Sequence, residues 1–248
     1  MTLTVISWIV ILLGIVTAVA IAIDCYQRPQ HMNVMNVTWP ITGLYFPVVG
    51  WWIYAVMGRP DGMPRDGSDH DHGGHDHSGH DSGHDHGHDD DGGCGHHHAP
   101  KPKWQSVFVG VTHCGGGCTL GDSVAIPIVA LTGFTVAGSI LLGHFAAEFV
   151  AAYLFGILFQ FLPAMSMGET NPFKALVNAI KADTLSLISF QIGMYGWMAL
   201  ASLVLLPEEP SAGTPVFWFM MQIAMVIGFA TAYPANWWLI NRGIKHGM

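Results

Sequence analysis

Charged side chains are scarce in this chain. Asp, Glu, Lys and Arg together make up only 10% of its 248 residues, whereas soluble globular proteins average about 25%. Hydrophobic residues account for 51%, and the mean hydropathy is +0.40. This composition excludes an ordinary soluble domain and predicts an all-α integral membrane protein in contact with the lipid bilayer.

Basic residues are also few, since nine Lys and Arg stand against seventeen Asp and Glu. The acidity is local, because residues 61–103 contain ten Asp beside only Arg65, Lys101 and Lys103. A local acidic segment gives no reason to expect a basic partner for the whole protein. The shortage of positive charge argues against nucleic acid as a partner.

Recognisable catalytic motifs are missing. The chain contains no phosphate-binding loop, no serine-triad signature and no dinucleotide fingerprint, so the sequence gives no support for an ATP-driven pump. The sequence therefore favours a protein without catalytic activity and leaves an enzyme open as the alternative.

Long apolar runs predict six transmembrane helices, because about 20 residues are needed to cross a ~30 Å hydrocarbon core. The predicted helices cover residues 3–23, 37–57, a run from the Thr112 motif to about 142, 144–162, 184–206 and 216–240. Residues 168–183 suggest a short interfacial amphipathic helix. The predicted organisation is helices 1 and 2 in residues 1–57, a polar loop in 58–103, and helices 3 to 6 in 104–248.

Six crossings would put both termini, the polar loop and residues 168–183 on one side of the membrane. That side would hold eight of the nine basic residues, leaving only Arg28 on the other. Because cytoplasmic loops carry an excess of Lys and Arg, the sequence predicts a bacterial inner-membrane protein with both termini and the loop in the cytoplasm.

The loop between helices 2 and 3 is rich in His, Asp and Gly. Such a composition cannot bury a core, and it predicts disorder. Imidazoles alternating with carboxylates can bind zinc, nickel, cobalt or copper, although a plain solvated acidic linker is the alternative. The candidate ligands are His70, His72, His75, His77, His84, His86 and His88.

A compact motif follows the loop, in which His113, Cys114, Cys118 and Asp122 lie within ten residues. We expect the three glycines between the cysteines to form a tight turn at the entrance of helix 3, with Gly121 and Asp122 starting the helix proper. Thiolate and imidazole ligands favour a transition metal, zinc or copper above all. The alternative is a glycine turn whose cysteines only pack.

A second pair of ionisable residues, His144 and Glu148, lies four residues apart and hence on one face of helix 4. Ionisable groups inside a membrane usually bind ions, relay protons or line a cavity. With Asp122, the pair completes a set of candidate metal-binding residues that could carry ions or exchanged protons across the membrane. A hydrogen-bonded pair that only fixes helix packing is the alternative.

Two phrases in the sequence suggest a family. Thr112-His113-Cys114 with Gly117-Cys118-Thr119-Leu120-Gly121-Asp122, and Tyr233-Pro234-Ala235-Asn236-Trp237-Trp238 near the C-terminus, resemble a family of small prokaryotic multi-pass membrane proteins known only as a domain of unknown function. The resemblance covers the chain apart from the His-rich insert. It implies a membrane fold with paired thiols and supplies no activity.

These observations favour transition-metal transport or homeostasis, with the His-rich loop collecting ions in the cytoplasm. One alternative is a non-transporting metal-binding chaperone, assembly factor or accessory subunit, in a homo-oligomer or a larger membrane complex. A third reading is a membrane redox enzyme that uses Cys114 and Cys118 as a dithiol.

Overall fold

The computed structural model describes residues 2–30, 32–60, 102–166, 171–207 and 210–244. The seven candidate His ligands of the loop, and the predicted disorder of that loop, lie outside the described residues and stay predictions. The described chain is helical, with one isolated β-bridge between Val136 and Ser139.

Seven α-helices follow one another along the described chain. They are α1 (Thr2–Gln27), α2 (Met35–Tyr45), α3 (Val49–Ile53, continued by a π-helical turn Tyr54–Gly58), α4 (Lys103–Thr132), α5 (Ile140–Ser166), α6 (Pro172–Leu200, continued by a π-helical turn Ala201–Leu205) and α7 (Pro215–Asn241). Five of them, α1 and α4 to α7, are long and apolar enough to cross a membrane. The all-helical fold with helices of membrane-spanning length and hydropathy is thus confirmed, but the count of six crossings is not.

The predicted second crossing is a hairpin of two short helices. The chain turns at Val48, which has a positive φ of 63°, and α3 then runs back along α2. A Cβ atom on Gly50 would lie 2.9 Å from Cα of Gly43, and the rings of Trp39 and Tyr54 pack with centroids 5.6 Å apart. We call residues 35–58 the re-entrant hairpin.

The tip of the re-entrant hairpin lies beside the middle of α1. The backbone N–H of Val48 donates to Oγ1 of Thr17 (2.9 Å), and the side-chain amide of Gln222 on α7 donates to the carbonyl of Leu44 (2.8 Å). Since Thr17 is ten residues from the end of α1, the tip lies ~15 Å from that end, or about half of a hydrocarbon core. These two bonds satisfy backbone groups that the turn leaves free inside an apolar environment.

The bundle therefore has two unlike ends. At one end, the last turn of α1 lies beside the last residues of the hairpin, where Arg59 pairs with Asp24 (3.0 Å). At the same end, α4 begins beside the end of α7, where Lys103 hydrogen-bonds Asn241. All six described Lys and Arg residues belong to the half of the bundle next to this end, which we call the basic face. The opposite face carries the start of α1, the connection 133–139 between α4 and α5, the end of α6 and the start of α7.

Helix α4 differs most from the prediction. It begins at Lys103, so the cysteine motif lies in the interior of a 30-residue helix instead of in a turn at its mouth. It ends at Thr132, because Gly133 takes the left-handed conformation (φ 66°) that closes a helix, and residues predicted to belong to its end start α5. Glycines are tolerated inside α4 because they let neighbouring helices approach; a Cβ on Gly117 would lie 3.1 Å from Cα of Gly156 on α5.

Helix α6 joins two predicted elements. The expected interfacial helix and the fifth predicted crossing form one helix that starts at Pro172. Its N-cap is Asn171, whose side-chain oxygen accepts hydrogen bonds from the backbone N–H groups of Phe173 (3.1 Å) and Lys174 (3.2 Å). The consequence is that Asp183, expected at a surface boundary, lies within the bundle.

Candidate functional site

A thiol and a carboxylate meet at the centre of the bundle. Sγ of Cys114 on α4 donates a hydrogen bond to Oδ1 of Asp183 on α6 at 2.8 Å. Oγ of Ser186 donates to the same sulfur at 3.1 Å, and the side-chain amide of Asn236 on α7 donates to Oγ of Ser186 at 2.6 Å. All four residues are buried, so three helices build one polar network, which we call the thiol–carboxylate site.

A glycine on the neighbouring helix α5 leaves the space that the Asp183 side chain occupies. Its second carboxylate oxygen lies against Gly156 of α5, in the space that any larger residue would fill. Cys118 lies one turn beyond Cys114 on the same side of α4, is fully buried, and its thiol neighbours that of Cys114. Cys114 is the twelfth residue of α4, ~17 Å from the start of a helix that is ~45 Å long. The thiol–carboxylate site therefore lies at membrane depth.

His113 points to a different neighbour. Adjacent residues of a helix project about 100° apart, and the imidazole of His113 faces α5, where Nε2 lies 3.1 Å from the carbonyl oxygen of Phe159. The predicted grouping of His113 with both cysteines around one ion is not seen in the structure. Among the described residues, no three His, Cys, Asp or Glu side chains are arranged to hold a metal ion.

Asp122 and Glu148 form a second buried acidic cluster farther toward the opposite face. They lie on α4 and α5, are 0% and 3% exposed, and are electrostatic neighbours. The side chain of Gln191 on α6 approaches Asp122, yet neither carboxylate oxygen of Asp122 hydrogen-bonds a described residue. A buried carboxylate without such bonds is costly, which marks this cluster as a candidate for chemistry.

His144 connects the acidic cluster to a cavity. Its Nδ1 lies 3.4 Å from Oε1 of Glu148, as expected for residues four apart on one helix. Both side chains line a cavity of about 270 Å³, which also borders the chain connection after α6. Its other polar lining residues are Ser202 and Ser211. We call this cavity the vestibule; it lies at the opposite face.

Sequence reasoning found some of these residues and missed others. It singled out Cys114, Cys118, Asp122, His144 and Glu148, and the structure places the first two in one cluster and the last three in another. It missed Asp183 and Ser186 because a helix boundary was set at Thr184. A signal was present in the sequence: Asp183 directly precedes an apolar run and lies three positions before Ser186, so the two share a helix face.

The fold and these clusters define a helical bundle with five helices long and apolar enough to cross a membrane and with ionisable side chains buried among them. The profile of a family described as "Domain of unknown function (DUF4396)" matches residues 103–245. Because the match spans more than half of the chain, the protein belongs to this family. The resemblance to an uncharacterised domain family is confirmed, although the match is narrower than expected, since it leaves out α1 and the re-entrant hairpin.

No curated protein and no solved structure matches the chain. The matched residues include α4 to α7, and with them the thiol–carboxylate site, the acidic cluster and most of the vestibule. The family description assigns no activity, and the chemistry of these side chains indicates what the protein can do.

Proposed function

We propose that the protein transports a transition-metal ion across the bacterial inner membrane, zinc or copper before nickel or cobalt. The observation that carries the proposal is the buried contact between Cys114 and Asp183, two residues on different crossing helices, with the Cys118 thiol beside them. Thiolate ligands select soft and borderline metals over Mg²⁺ and Ca²⁺.

The ion is the cargo, held during passage by Cys114, Cys118 and Asp183. The two thiols bind as thiolates, so each binding event releases protons and the affinity falls as the pH falls. No three described donors surround one point, so loading requires α4 and α6 to shift locally. A carrier needs such a change between its states, whereas a structural metal site is closed and preformed.

The charge distribution supports an orientation. The six described Lys and Arg residues lie on the side of the basic face. Assigning the basic face to the cytoplasm gives all six the side that cytoplasmic loops favour. The start of α1 then lies on the periplasmic side, unlike the prediction, and the cytoplasmic location of the His-rich loop stays a prediction.

Metal flux into proteoliposomes tests the proposal. The purified full-length protein should carry at least one of Zn²⁺, Cu⁺, Ni²⁺ and Co²⁺, and Cys114→Ser should reduce the rate at least tenfold because it removes a thiolate ligand. Cys25→Ser is the matched control, because Cys25 is an equally buried thiol that lies beside Tyr54 and outside the thiol–carboxylate site. Absence of flux for all four ions, or equal rates for Cys114→Ser and wild type, would overturn the proposal.

A second candidate function is a non-transporting metal-binding chaperone or accessory subunit. It is favoured by the density of His and Asp between residues 70 and 98, since such a segment can bind a transition metal without a membrane-spanning ion path. It predicts that the purified protein binds metal through its His-rich segment while proteoliposomes show no flux, and that Cys114→Ser leaves the metal content unchanged.

A further inference from the structure

We propose that the vestibule binds a small organic cation, an ammonium group attached to an apolar body, with Glu148 as its counter-ion. This binding site is separate from the proposed metal path, because none of Cys114, Cys118 and Asp183 lines the vestibule. The proposal goes beyond metal transport and does not depend on it.

The first observation is a buried carboxylate at the vestibule that has no cationic partner. The side chain of Glu148 is 3% exposed and lies eight residues, or ~12 Å, from the start of α5. Its ion-pair contact among the described residues is with Nδ1 of His144, at 3.4 Å, and that nitrogen does not donate a hydrogen bond to it. Because a buried charge is costly unless it is paired, a cation in the vestibule would supply the missing partner.

The charges near the vestibule favour a cation over an anion. Asp122 is an electrostatic neighbour of Glu148, so a second acid adds to the field at this site. All six described Lys and Arg residues belong to the half of the bundle next to the basic face, and none of them lines the vestibule. An anionic ligand would therefore meet charge of its own sign, and a cation would meet the opposite sign, in surroundings where such interactions are strong.

Aromatic walls suit an organic cation better than a bare ion. The rings of Phe145 and Phe217 line the vestibule. The ring of Phe217 lies 6.2 Å from the imidazole of His144, the residue that contacts Glu148. Stacking on Tyr195, with ring centroids 4.3 Å apart, holds Phe145 in place. Aromatic rings attract ammonium groups and pack well against apolar ones.

The size of the vestibule and its few polar groups point to the same class of ligand. At about 270 Å³, it lies just below the ~300–1,000 Å³ of typical ligand sites, so it suits a small molecule. A transition-metal ion is normally held by three or four protein ligands, and the described His, Cys, Asp and Glu residues form no such group. An organic cation needs one carboxylate, a few polar groups such as the hydroxyls of Ser202 and Ser211, and apolar walls, all of which line the vestibule.

Benzylammonium and benzyl alcohol form a matched pair of probes, because they have nearly the same shape and differ by one charge. Each is added to the purified full-length protein in a neutral maltoside detergent at neutral pH, and binding is measured by equilibrium dialysis. Benzylammonium should bind at least tenfold more tightly than the alcohol, because only the cation pairs with Glu148. Equal affinities for the two probes would overturn the proposal.

Glu148→Gln tests the counter-ion. The amide keeps the size of the side chain and removes its charge, so the affinity for benzylammonium should fall at least tenfold. The affinity for benzyl alcohol should stay within twofold, which also shows that the variant is folded. Asp24→Asn is the matched control, because Asp24 is also a largely buried acid but pairs with Arg59 at the basic face; it should leave both affinities unchanged. An unchanged preference for the cation in Glu148→Gln would overturn the proposal.

Protection of an introduced cysteine locates the ligand without any change to Glu148. In a Cys94→Ser background, Ser211→Cys places a thiol at the lining of the vestibule, and Thr135→Cys places one at the same face but outside it. Saturating benzylammonium should slow the reaction of the first thiol with a maleimide at least threefold and leave the second unchanged. Equal rates for Ser211→Cys with and without benzylammonium would overturn the proposal.

Competition by lipids distinguishes two sources of the ammonium group. The vestibule lies at one face of the bundle, where either a free organic amine or the headgroup of phosphatidylethanolamine can present this group. A headgroup occupant predicts that phosphatidylethanolamine added to the micelles weakens benzylammonium binding at least threefold, whereas phosphatidylglycerol, which has no ammonium group, does not. Binding that neither lipid changes assigns the site to a free amine. Equal weakening by both lipids would overturn recognition of an ammonium group.

Discussion

At the residue scale, Asp24 fastens the re-entrant hairpin to α1. Its carboxylate accepts hydrogen bonds from the hydroxyl of Tyr54 (2.9 Å) and the guanidinium of Arg59 (3.0 Å). Both donors lie in the returning limb of the hairpin, so one side chain holds the end of that limb beside the end of α1. Arg59 is about a third exposed, so water screens its share of the interaction.

Replacing Asp24 should loosen this attachment. Asp24→Ala leaves the Tyr54 hydroxyl without its acceptor, and hydrogen bonds to a charged group contribute about 1.5–3 kcal/mol each. We expect a loss of about 1–3 kcal/mol in the free energy of unfolding, measured by thermal denaturation in detergent micelles. Arg28→Ala is the control, because Arg28 forms no ion pair with a described residue. Equal midpoints for the two variants would refute the role of Asp24.

Asp183 shows why single residues of the site escaped prediction. In the sequence it ends a polar stretch and precedes a long apolar run, which is the usual position of a surface acid. Its burial depends on the partner helices, because Gly156 of α5 leaves space for one carboxylate oxygen and Cys114 of α4 donates to the other. Neither partner is near Asp183 in the chain.

At the scale of helices, glycine governs the packing of α4. Three consecutive glycines favour a turn in a soluble protein, whereas small residues in a membrane helix mark a face on which another helix lies close. The structure follows the second rule: a Cβ on Gly116 would lie 2.8 Å from that of Thr38 in the re-entrant hairpin, and one on Gly117 would lie 3.1 Å from Cα of Gly156. The predicted turn is wrong because Gly115–Gly117 form a face of α4 on which neighbouring segments lie close.

Two glycines of α4 give a matched pair of substitutions. A Cβ on Gly121 would clash with the backbone of Ala152, whereas one on Gly110 meets nothing within 4 Å. Gly121→Ala should push α4 and α5 apart and lower the free energy of unfolding by about 1–3 kcal/mol. Gly110→Ala should raise it by up to about 1 kcal/mol, because alanine is the better helix former.

Thermal denaturation of the two variants beside wild type measures these effects. Because both positions lie in one helix and both gain the same methyl group, helix propensity alone would move them in the same direction. Stabilisation by Gly121→Ala would therefore contradict the close contact between α4 and α5.

At the scale of the whole molecule, the re-entrant hairpin decides the topology. With five crossings and a hairpin, the connection between α1 and α2 lies at the basic face, whereas six crossings would place it on the other side of the membrane. All six described Lys and Arg residues then lie in one half of the molecule. The hairpin thus accounts for Arg28, the one basic residue that six crossings would place on the other side of the membrane.

Labelling of single cysteines distinguishes the two topologies. In a Cys94→Ser background, the remaining cysteines Cys25, Cys114 and Cys118 are buried and should not react with a membrane-impermeant maleimide. Asn33→Cys, in the exposed connection after α1, should react only when the cytoplasmic side of the membrane is accessible, as in inverted vesicles. Thr135→Cys, exposed between α4 and α5, is the control and should react only from the periplasmic side. Reaction of both from the same side would refute the hairpin topology.

The sequence by itself determined the helical class, the positions of the outer helices α1 and α7, and the shortlist of reactive residues. Hydropathy marks a run long enough to cross a membrane, because burying about 20 apolar residues in lipid depends on local composition alone. The starts and ends of α1 and α7 accordingly lie within a few residues of their predicted bounds. Polar residues are rare within apolar helices, so the sequence alone also singles out Cys114, Asp122 and Glu148 as candidates for chemistry.

Only the tertiary structure decided which of these residues meet and how the chain is threaded. The partnership of Cys114 with Asp183 joins residues 69 positions apart and depends on the packing of α4 against α5 and α6. The reversal at Val48 depends on the hydroxyl of Thr17, which accepts a hydrogen bond from the Val48 N–H, and on the amide of Gln222, which donates to the Leu44 carbonyl. Without those partners the backbone groups of a turn would be unsatisfied in apolar surroundings. Contacts between distant segments are collective properties of the bundle, and composition and spacing along the chain do not encode them locally.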